Sequence, residues 1–516
     1  MLLIFPPVAK PSEPPAGIAR LAGALQAHGI PCRLLDANLE GLLWLLGQPV
    51  LDSDTWTRRA EKNRFRHLAA LGDPHTCRVP SRYSRAVHDL SRLLSAASGS
   101  AVRVGLADYQ HSQLSPLKSE DLIASAECPE ANPFFPYFSA RLTEAVEGGE
   151  AAGPSGPTVG FSLTYLSQAL TTFAMIGFLK RRFPSVAIAA GGGLVTSWVR
   201  SPRWRNPFGG LIDHLVAGPG EGPLLQLLGG KVESRLHHLP KYDGLPLKSY
   251  LSPGFILPYS ASSGCWWNRC SFCPERAEGN GYVPIPAEQA AAGLHRLSEQ
   301  HRPVLLHLLD NALAPAFLEK LIREPPGVPW YGFARISPEL AEPDYCRELR
   351  RSGCVMLKLG LESGDQGVLD TLRKGICLGT ASRALANLRE AGIGVYLYLL
   401  FGTPAEDEAA ARRTLDFVER HREAVTFLNL ALFNMPLEGE EAAEYETEPF
   451  YAGDLSLYTG FRHPGGWDRN RVRAFIEREF KRTPSVASIL RNDPPVFTSN
   501  HAPFFCKSWA GPATSG

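Results

Sequence analysis

The chain has 516 residues, with 53 Lys+Arg against 52 Asp+Glu and ten cysteines. That length accommodates two or three cores, the balanced charge excludes bulk attraction to nucleic acid or an anionic membrane, and so few cysteines exclude a disulfide scaffold. No apolar run approaches the length of a membrane span, and the Met1–Pro7 start lacks the basic and apolar regions of a signal peptide, so a cytoplasmic protein with no membrane partner is expected.

Strand and helix alternate from the start. Leu2–Phe5 reads as an apolar strand, Ala16–His28 as a helix with Ile18, Leu21 and Leu25 on one face, and Arg33–Asp36 as a second strand. Periodicity fades over about 48–157, a long insertion with helical patches at Arg82–Ala97 and Ala140–Glu147. Alternation resumes with strand Val159–Ser162, helix Ser167–Arg182, strand Val186–Ala190, the triple glycine Gly191-Gly192-Gly193 and strand His214–Ala217. Gly-rich turns at the ends of alternating strands predict a doubly wound, Rossmann-like α/β domain over 1–235, with its ligand site outside the carboxyl ends of the strands.

Residues 236–254 carry Pro240, Pro246 and Pro253 with little periodicity and read as a linker. His237 and His238 point apart in an extended chain and are expected to be solvated rather than a metal pair.

A second alternating series spans 255–432. Strands are expected at Ile256–Ser260, Val304–Leu309, Trp330–Ala334, Val355–Leu361, Val395–Phe401 and Thr426–Leu430, with helices between them. Six βα units predict a partial (βα)6 barrel of the TIM type, followed by a small aromatic C-terminal region over 433–516. In that region Phe433, Trp467, Phe504 and Phe505 are candidates to shape a substrate pocket.

Cys265, Cys270 and Cys273 lie within nine residues, in the run Gly264-Cys265-Trp266-Trp267-Asn268-Arg269-Cys270-Ser271-Phe272-Cys273. Three thiolates can hold an iron–sulfur cluster and leave one iron open to a small molecule. The same spacing admits a zinc knuckle completed by a distant His or Cys, although no second cysteine pair exists to complete it. Cys32, Cys77, Cys128, Cys346, Cys354, Cys377 and Cys506 are scattered and read as ordinary thiols. Polar residues also fall at successive strand ends: Asp310 and Asn311, Arg335, Glu362 and Ser363, and Gly402-Thr403-Pro404. In a parallel barrel those positions share the rim where chemistry is done.

The cysteine loop resembles that of radical S-adenosylmethionine (SAM) enzymes, with four residues rather than the usual three between the first two cysteines. Gly360-Leu361-Glu362-Ser363-Gly364 and Phe401-Gly402-Thr403-Pro404 resemble the fourth- and fifth-strand segments of the same superfamily. The resemblance implies that Cys265, Cys270 and Cys273 ligate a [4Fe–4S] cluster whose fourth iron chelates SAM. It assigns SAM contacts to Asp310, Asn311, Arg335, Glu362, Ser363 and Gly402, with Arg335 suited to the SAM carboxylate. It also implies reductive cleavage of SAM to a 5′-deoxyadenosyl radical and an electron donor such as flavodoxin or ferredoxin.

The first domain resembles the cobalamin-binding domain of one radical SAM subclass. The resemblance places Pro6, Pro7, Ser162, Thr164, Gly191, Gly192 and Gly193 against cobalamin. The DxHxxG loop that supplies a histidine to cobalt elsewhere is missing, and prolines occupy its place. The expected activity is a cobalamin-dependent radical SAM methyltransferase acting on an unactivated carbon of a small-molecule or peptide substrate. The alternatives are a radical SAM enzyme of another type (cyclase, rearrangement or oxidative cleavage), with or without cobalamin, and a non-enzymatic metal-binding scaffold.

Overall fold

The computed structural model describes residues 1–50, 54–153, 156–230, 237–493 and 500–501. Its contacts divide the described chain into two compact units, Met1–Phe255 with Tyr451–Leu457, and Ile256–Phe450 with residues 458–493 and 500–501.

The first unit is built on a five-stranded parallel sheet of β1 (Leu2–Phe5), β2 (Arg33–Asp36), β3 (Thr158–Ser162), β4 (Ala187–Gly191) and β5 (His214–Leu215), in the order β2-β1-β3-β4-β5. This is the flavodoxin-like order, whose switch point lies between β1 and β3. Leu2, Leu3 and Ile4 are buried, as in a central parallel strand covered on both faces. Helix Leu166–Arg182 follows β3 and begins on a device the sequence did not reveal. The Gln168 side chain accepts the N–H groups of Thr164 and Tyr165 at 3.0 Å and donates to the Pro6 carbonyl at 2.7 Å, tying the ends of β1 and β3 together.

The helical insertion is led by Pro80–Ala97 and Phe135–Glu147. Residues 237–254, read from sequence as a linker, pack on the first unit. The N–H of Lys241 donates to the Ala19 carbonyl and that of Leu251 to the Pro11 carbonyl, both at 2.8 Å, and the Tyr250 hydroxyl donates to Asp36 at 2.7 Å. His237 and His238 are therefore half-buried rather than fully solvated. His238 meets His28 edge-on at 5.1 Å, and burial lowers the His237 pKa to about 4.

The second unit carries six parallel strands in sequential order: β6 (Ile256–Tyr259), β7 (Leu305–Leu308), β8 (Trp330–Ala334), β9 (Cys354–Glu362), β10 (Gly394–Phe401) and β11 (Phe427–Leu432). Sequential order with helices between successive strands is the geometry of a TIM-type barrel that stops short of closure. Asp365 and Asp407 cap the helices that follow β9 and β10 by accepting the N–H of Val368 and of Ala410. A small antiparallel sheet follows, of β12 (Met435–Pro436), β13 (Thr447–Glu448) and β14 (Tyr458–Phe461), in the order β12-β14-β13. Cys506, Phe504 and Phe505 lie outside the described residues.

Candidate active site

The cysteine loop leaves β6 through a short two-stranded neck, in which Ser262–Ser263 pairs with Val283–Pro284. Gly264 has φ +72°, and a Cβ there would lie 2.4 Å from the Gly281 carbonyl oxygen, so only glycine closes this neck. Asp310, at the end of β7, is 2% exposed; its carboxylate accepts the Ala261 N–H at 3.0 Å and the Ser262 hydroxyl. Burial raises its pKa, and these hydrogen bonds offset part of that. Asp310 thus anchors the loop, whereas Asn311 beside it is exposed.

Two tryptophans pin the loop from within. Trp266 Nε1 donates to the Leu313 carbonyl at 3.2 Å and Trp267 Nε1 to the Arg373 carbonyl at 3.1 Å. Arg335 ends β8 and is 9% exposed. Its guanidinium lies 4.1 Å from the Trp267 ring centroid and 5.6 Å from that of Trp266, and it donates to the Lys374 carbonyl. Burial raises the Cys270 thiol pKa, which Lys374 and Arg335 oppose electrostatically. Burial likewise raises that of Cys273, opposed by the N–H groups of Arg276 and Glu275 in the short helix it caps. Both devices offset only part of the burial, so each thiol stays above its ordinary pKa until a metal takes the thiolate.

Glu362 sits at a bulge in β9 with φ +70°, and its Oε1 accepts the Lys374 ammonium at 2.7 Å. A Cβ at Gly360 would lie 2.5 Å from that carboxylate, so glycine makes room for the pair. Lys374 also lies 5.5 Å over the Phe272 ring, between Cys270 and Cys273 in sequence. Sequence reasoning missed Lys374, because its partner at Glu362 stands twelve residues away across a helix.

Cys265, Cys270, Cys273, Arg335 and Glu362 therefore gather around one loop. Ser363 does not join them. It is fully buried, with its hydroxyl 3.2 Å from that of Thr414 in helix Glu408–Arg420 and accepting the Asp365 N–H at 3.1 Å. Gly402, at the end of β10 with φ +79°, donates its N–H to Glu406 Oε2 at 2.6 Å. Trp467 Nε1 donates to the same oxygen at 3.1 Å, and burial raises the Glu406 pKa to about 7. Among the described residues, no three His, Cys, Asp or Glu side chains are placed to share one metal ion. Three thiolates that each bind a separate iron of a cluster do not need such a placement.

In the first unit, the ends of β3 and β4 and the turn after β5 open on a cavity of about 190 Å³ lined by Gly17, Gly160, Ser162, Gly191, Gly192 and Gly218, among others. A whole drug-sized ligand occupies roughly 300–1,000 Å³, so this cavity takes one part of a larger molecule. Gly192 has φ +107°, and a Cβ on it would lie 2.5 Å from the Leu163 carbonyl oxygen, so the fold itself demands that glycine. Gly17 is different: its nearest neighbour in that direction is the Ser162 hydroxyl at 3.4 Å. Gly193 opens a helix beside Thr164, and Pro6 and Pro7 are buried. His214 is exposed on β5.

Residues 259–418 match the Radical SAM superfamily. The matched segment runs from β6 into the helix that follows β10, and so contains the cysteine loop and the strand ends described above. Over 178 residues, 32% of this chain and 38% of the relative, the chain is 26% identical to bacteriochlorophyllide d C-12(1)-methyltransferase of Chlorobaculum tepidum. It is 24% identical over 42% of its length and 50% of the relative to the anaerobic magnesium-protoporphyrin IX monomethyl ester cyclase of Synechocystis. The chain thus spans half or less of the length of these relatives. The radical SAM methyltransferase TsrM of Kitasatospora setae, solved with tryptophan substrate and a SAM analogue, superposes with a TM-score of 0.54 over 96% of this chain and 89% of that one, at 15% identity. That likeness extends the shared fold across both units. No helix among the described residues is long and apolar enough to cross a membrane.

Proposed function

We propose that the protein is a radical SAM enzyme that carries cobalamin in its first unit and methylates an unactivated carbon. The observation that carries this reading is a pairing of two features: a three-cysteine loop held by Asp310, Arg335 and Lys374 at a barrel rim, and a separate flavodoxin-ordered sheet opening on a glycine-lined cavity.

Cys265, Cys270 and Cys273 would hold the [4Fe–4S] cluster, the neighbouring Lys374 and Arg335 favouring thiolate at Cys270. When bound, cluster and SAM supply radical chemistry and cobalamin supplies a methyl carrier, with reducing equivalents from a donor such as flavodoxin or ferredoxin. Glu362 is fixed through Oε1 by Lys374, and its carboxylate would be a hydrogen-bond acceptor for SAM. Arg335 stacks on Trp267 and shapes the loop that presents the thiolates, and its charge would suit the SAM carboxylate. Asp310 acts by holding the loop neck, and Gly402 by the left-handed turn that brings the end of β10 against Val472.

In the first unit, Gly17, Ser162 and Gly191 line a cavity that would take part of the nucleotide tail of cobalamin. Pro6, Pro7 and Thr164 do not line it; Gln168 joins Pro6 and Thr164 at the ends of β1 and β3. The methyltransferase name of the Chlorobaculum relative supports the reaction type. The cyclase name of the Synechocystis relative favours a second reading, in which the same machinery closes a ring instead. Methyl-labelled SAM separates the two: label appearing in a substrate-derived product supports methyl transfer, and SAM consumption with the label confined to methionine supports the second reading.

A further inference from the structure

The ends of β10 and β11 open on a cavity of about 580 Å³, roofed by β14, Phe450 and the start of helix Arg469–Arg478. Its volume is that of a small-molecule site. Another cavity of about 850 Å³ lies against Gly394 and Thr426, where β10 and β11 begin. That is the end of a parallel barrel where chemistry is not done.

Rings dominate the rim cavity. Phe401, Phe433, His463 and Trp467 are buried and form its floor, while Phe450 and Phe461 are half-buried and form its walls. Phe433 and Phe461 meet edge to face at 5.8 Å and 72°, and Arg469 covers Phe450 at 4.7 Å. Faces and edges set at such angles are complementary to the quadrupole of another planar ring.

The floor is also rigid. His463 accepts the N–H groups of Gly465 and Trp467 at Nδ1, at 3.1 and 3.2 Å, which leaves Nε2 to donate to the Thr403 carbonyl at 3.1 Å. Trp467 is fixed through Glu406 to the Gly402 N–H. The rings are therefore clamped to the strand-end turn assigned to SAM. At the other end of the same segment, Glu440 pairs with Arg276 and Arg373 beside the cysteine loop. The layer that roofs the cavity thus reaches from the β10 turn to the cluster loop.

We infer that this cavity is the substrate site and that it takes a planar aromatic ring; the word substrate rests on the radical SAM reading above. The test is calorimetric titration of full-length, metal-free protein with 2-naphthol and with its saturated counterpart trans-2-decalol. Ring-on-ring contact favours naphthol by about tenfold, ~1.4 kcal/mol, over a ligand of similar size and polarity. Phe461→Leu and Phe433→Leu, which keep bulk and remove a ring, should each cut that preference to about threefold or less. Equal affinity for the two probes, or a preference indifferent to both variants, overturns the inference. The measurement needs neither cluster nor SAM. Protein that cleaves SAM but shows no preference overturns only the ring site. Protein that shows the preference yet assembles no cluster keeps the ring site and overturns its assignment to substrate.

Discussion

Arg335 lies over Trp267, 4.1 Å from guanidinium carbon to ring centroid, and donates to the Lys374 carbonyl beyond it. One residue at the end of β8 thus holds both the cysteine loop and the segment that supplies Lys374 to Glu362. A lysine in place of Arg335 keeps the charge and loses both the planar stacking and the fork of donors. Arg335→Lys should weaken the loop by roughly 1–2 kcal/mol and lower iron retention after desalting without unfolding the protein. Iron content and SAM affinity equal to those of the parent would show that the stacking is incidental.

The thiolates are expected to act as a set. Cys270→Ala removes the most buried of the three, at 8% exposure, and should abolish both iron retention and SAM cleavage. Cys354→Ala, in the core of β9 and remote in role, should cost stability through a small cavity and leave iron binding intact. Iron analysis of the two variants side by side checks the assignment.

Strands were legible because buried parallel strands are short apolar runs. Leu2–Phe5, Arg33–Asp36 and Trp330–Ala334 read from sequence coincide with β1, β2 and β8, and the others agree to within a few residues at their ends. The small sheet β12-β14-β13 was not legible, since two-residue strands such as Thr447–Glu448 carry no periodicity. At the site, the cysteines announce themselves by spacing. The supporting contacts do not: Gln168 to Pro6 and Trp467 to Glu406 join residues 162 and 61 positions apart. Ser363 shows the opposite failure. A strand-end position does not reveal whether a side chain faces the rim or the helix behind it, and Ser363 faces Thr414.

The glycine-lined cavity gives a clean test of cobalamin binding at Gly17. Gly192→Val would strain its own backbone and strike Leu163, so loss of a ligand there would say little. Gly17→Leu adds a side chain toward the cavity from an ordinary helical position and should fill it. Cobalamin retention on gel filtration should fall at least about tenfold, with iron content unchanged, because four added carbons occupy the ligand's space. Gly17→Ala should retain cobalamin, and equal retention by the parent and Gly17→Leu would place the ligand elsewhere.

Glu406 predicts a pH dependence of stability. Its folded pKa of about 7 lies above the unfolded value near 4.5, because burial disfavours the carboxylate more than the Gly402 and Trp467 donors favour it. The folded state therefore holds the proton more tightly, and stability falls as pH rises from about 4.5 through 7, then stays low. The loss is on the order of 3 kcal/mol. Glu406→Gln keeps an acceptor for both donors and should flatten this slope, raising the melting temperature at pH 8 relative to the parent and not at pH 5. Parallel melting profiles for the two proteins across that range would contradict the assignment.

The most direct measurement of the central claim is anaerobic reconstitution with iron, sulfide and hydroxocobalamin, followed by iron and cobalt analysis, paramagnetic resonance and assay of SAM cleavage. The account predicts protein that retains both metals, consumes SAM under reduction, and shows cob(II)alamin with no nitrogen ligand from the protein. His28 is engaged with His238, His214 is exposed on β5, and prolines stand where a ligand loop would be. Protein that retains no iron, or retains it and leaves SAM intact, would contradict the account. A nitrogen-ligated cobalt would contradict its cobalamin site.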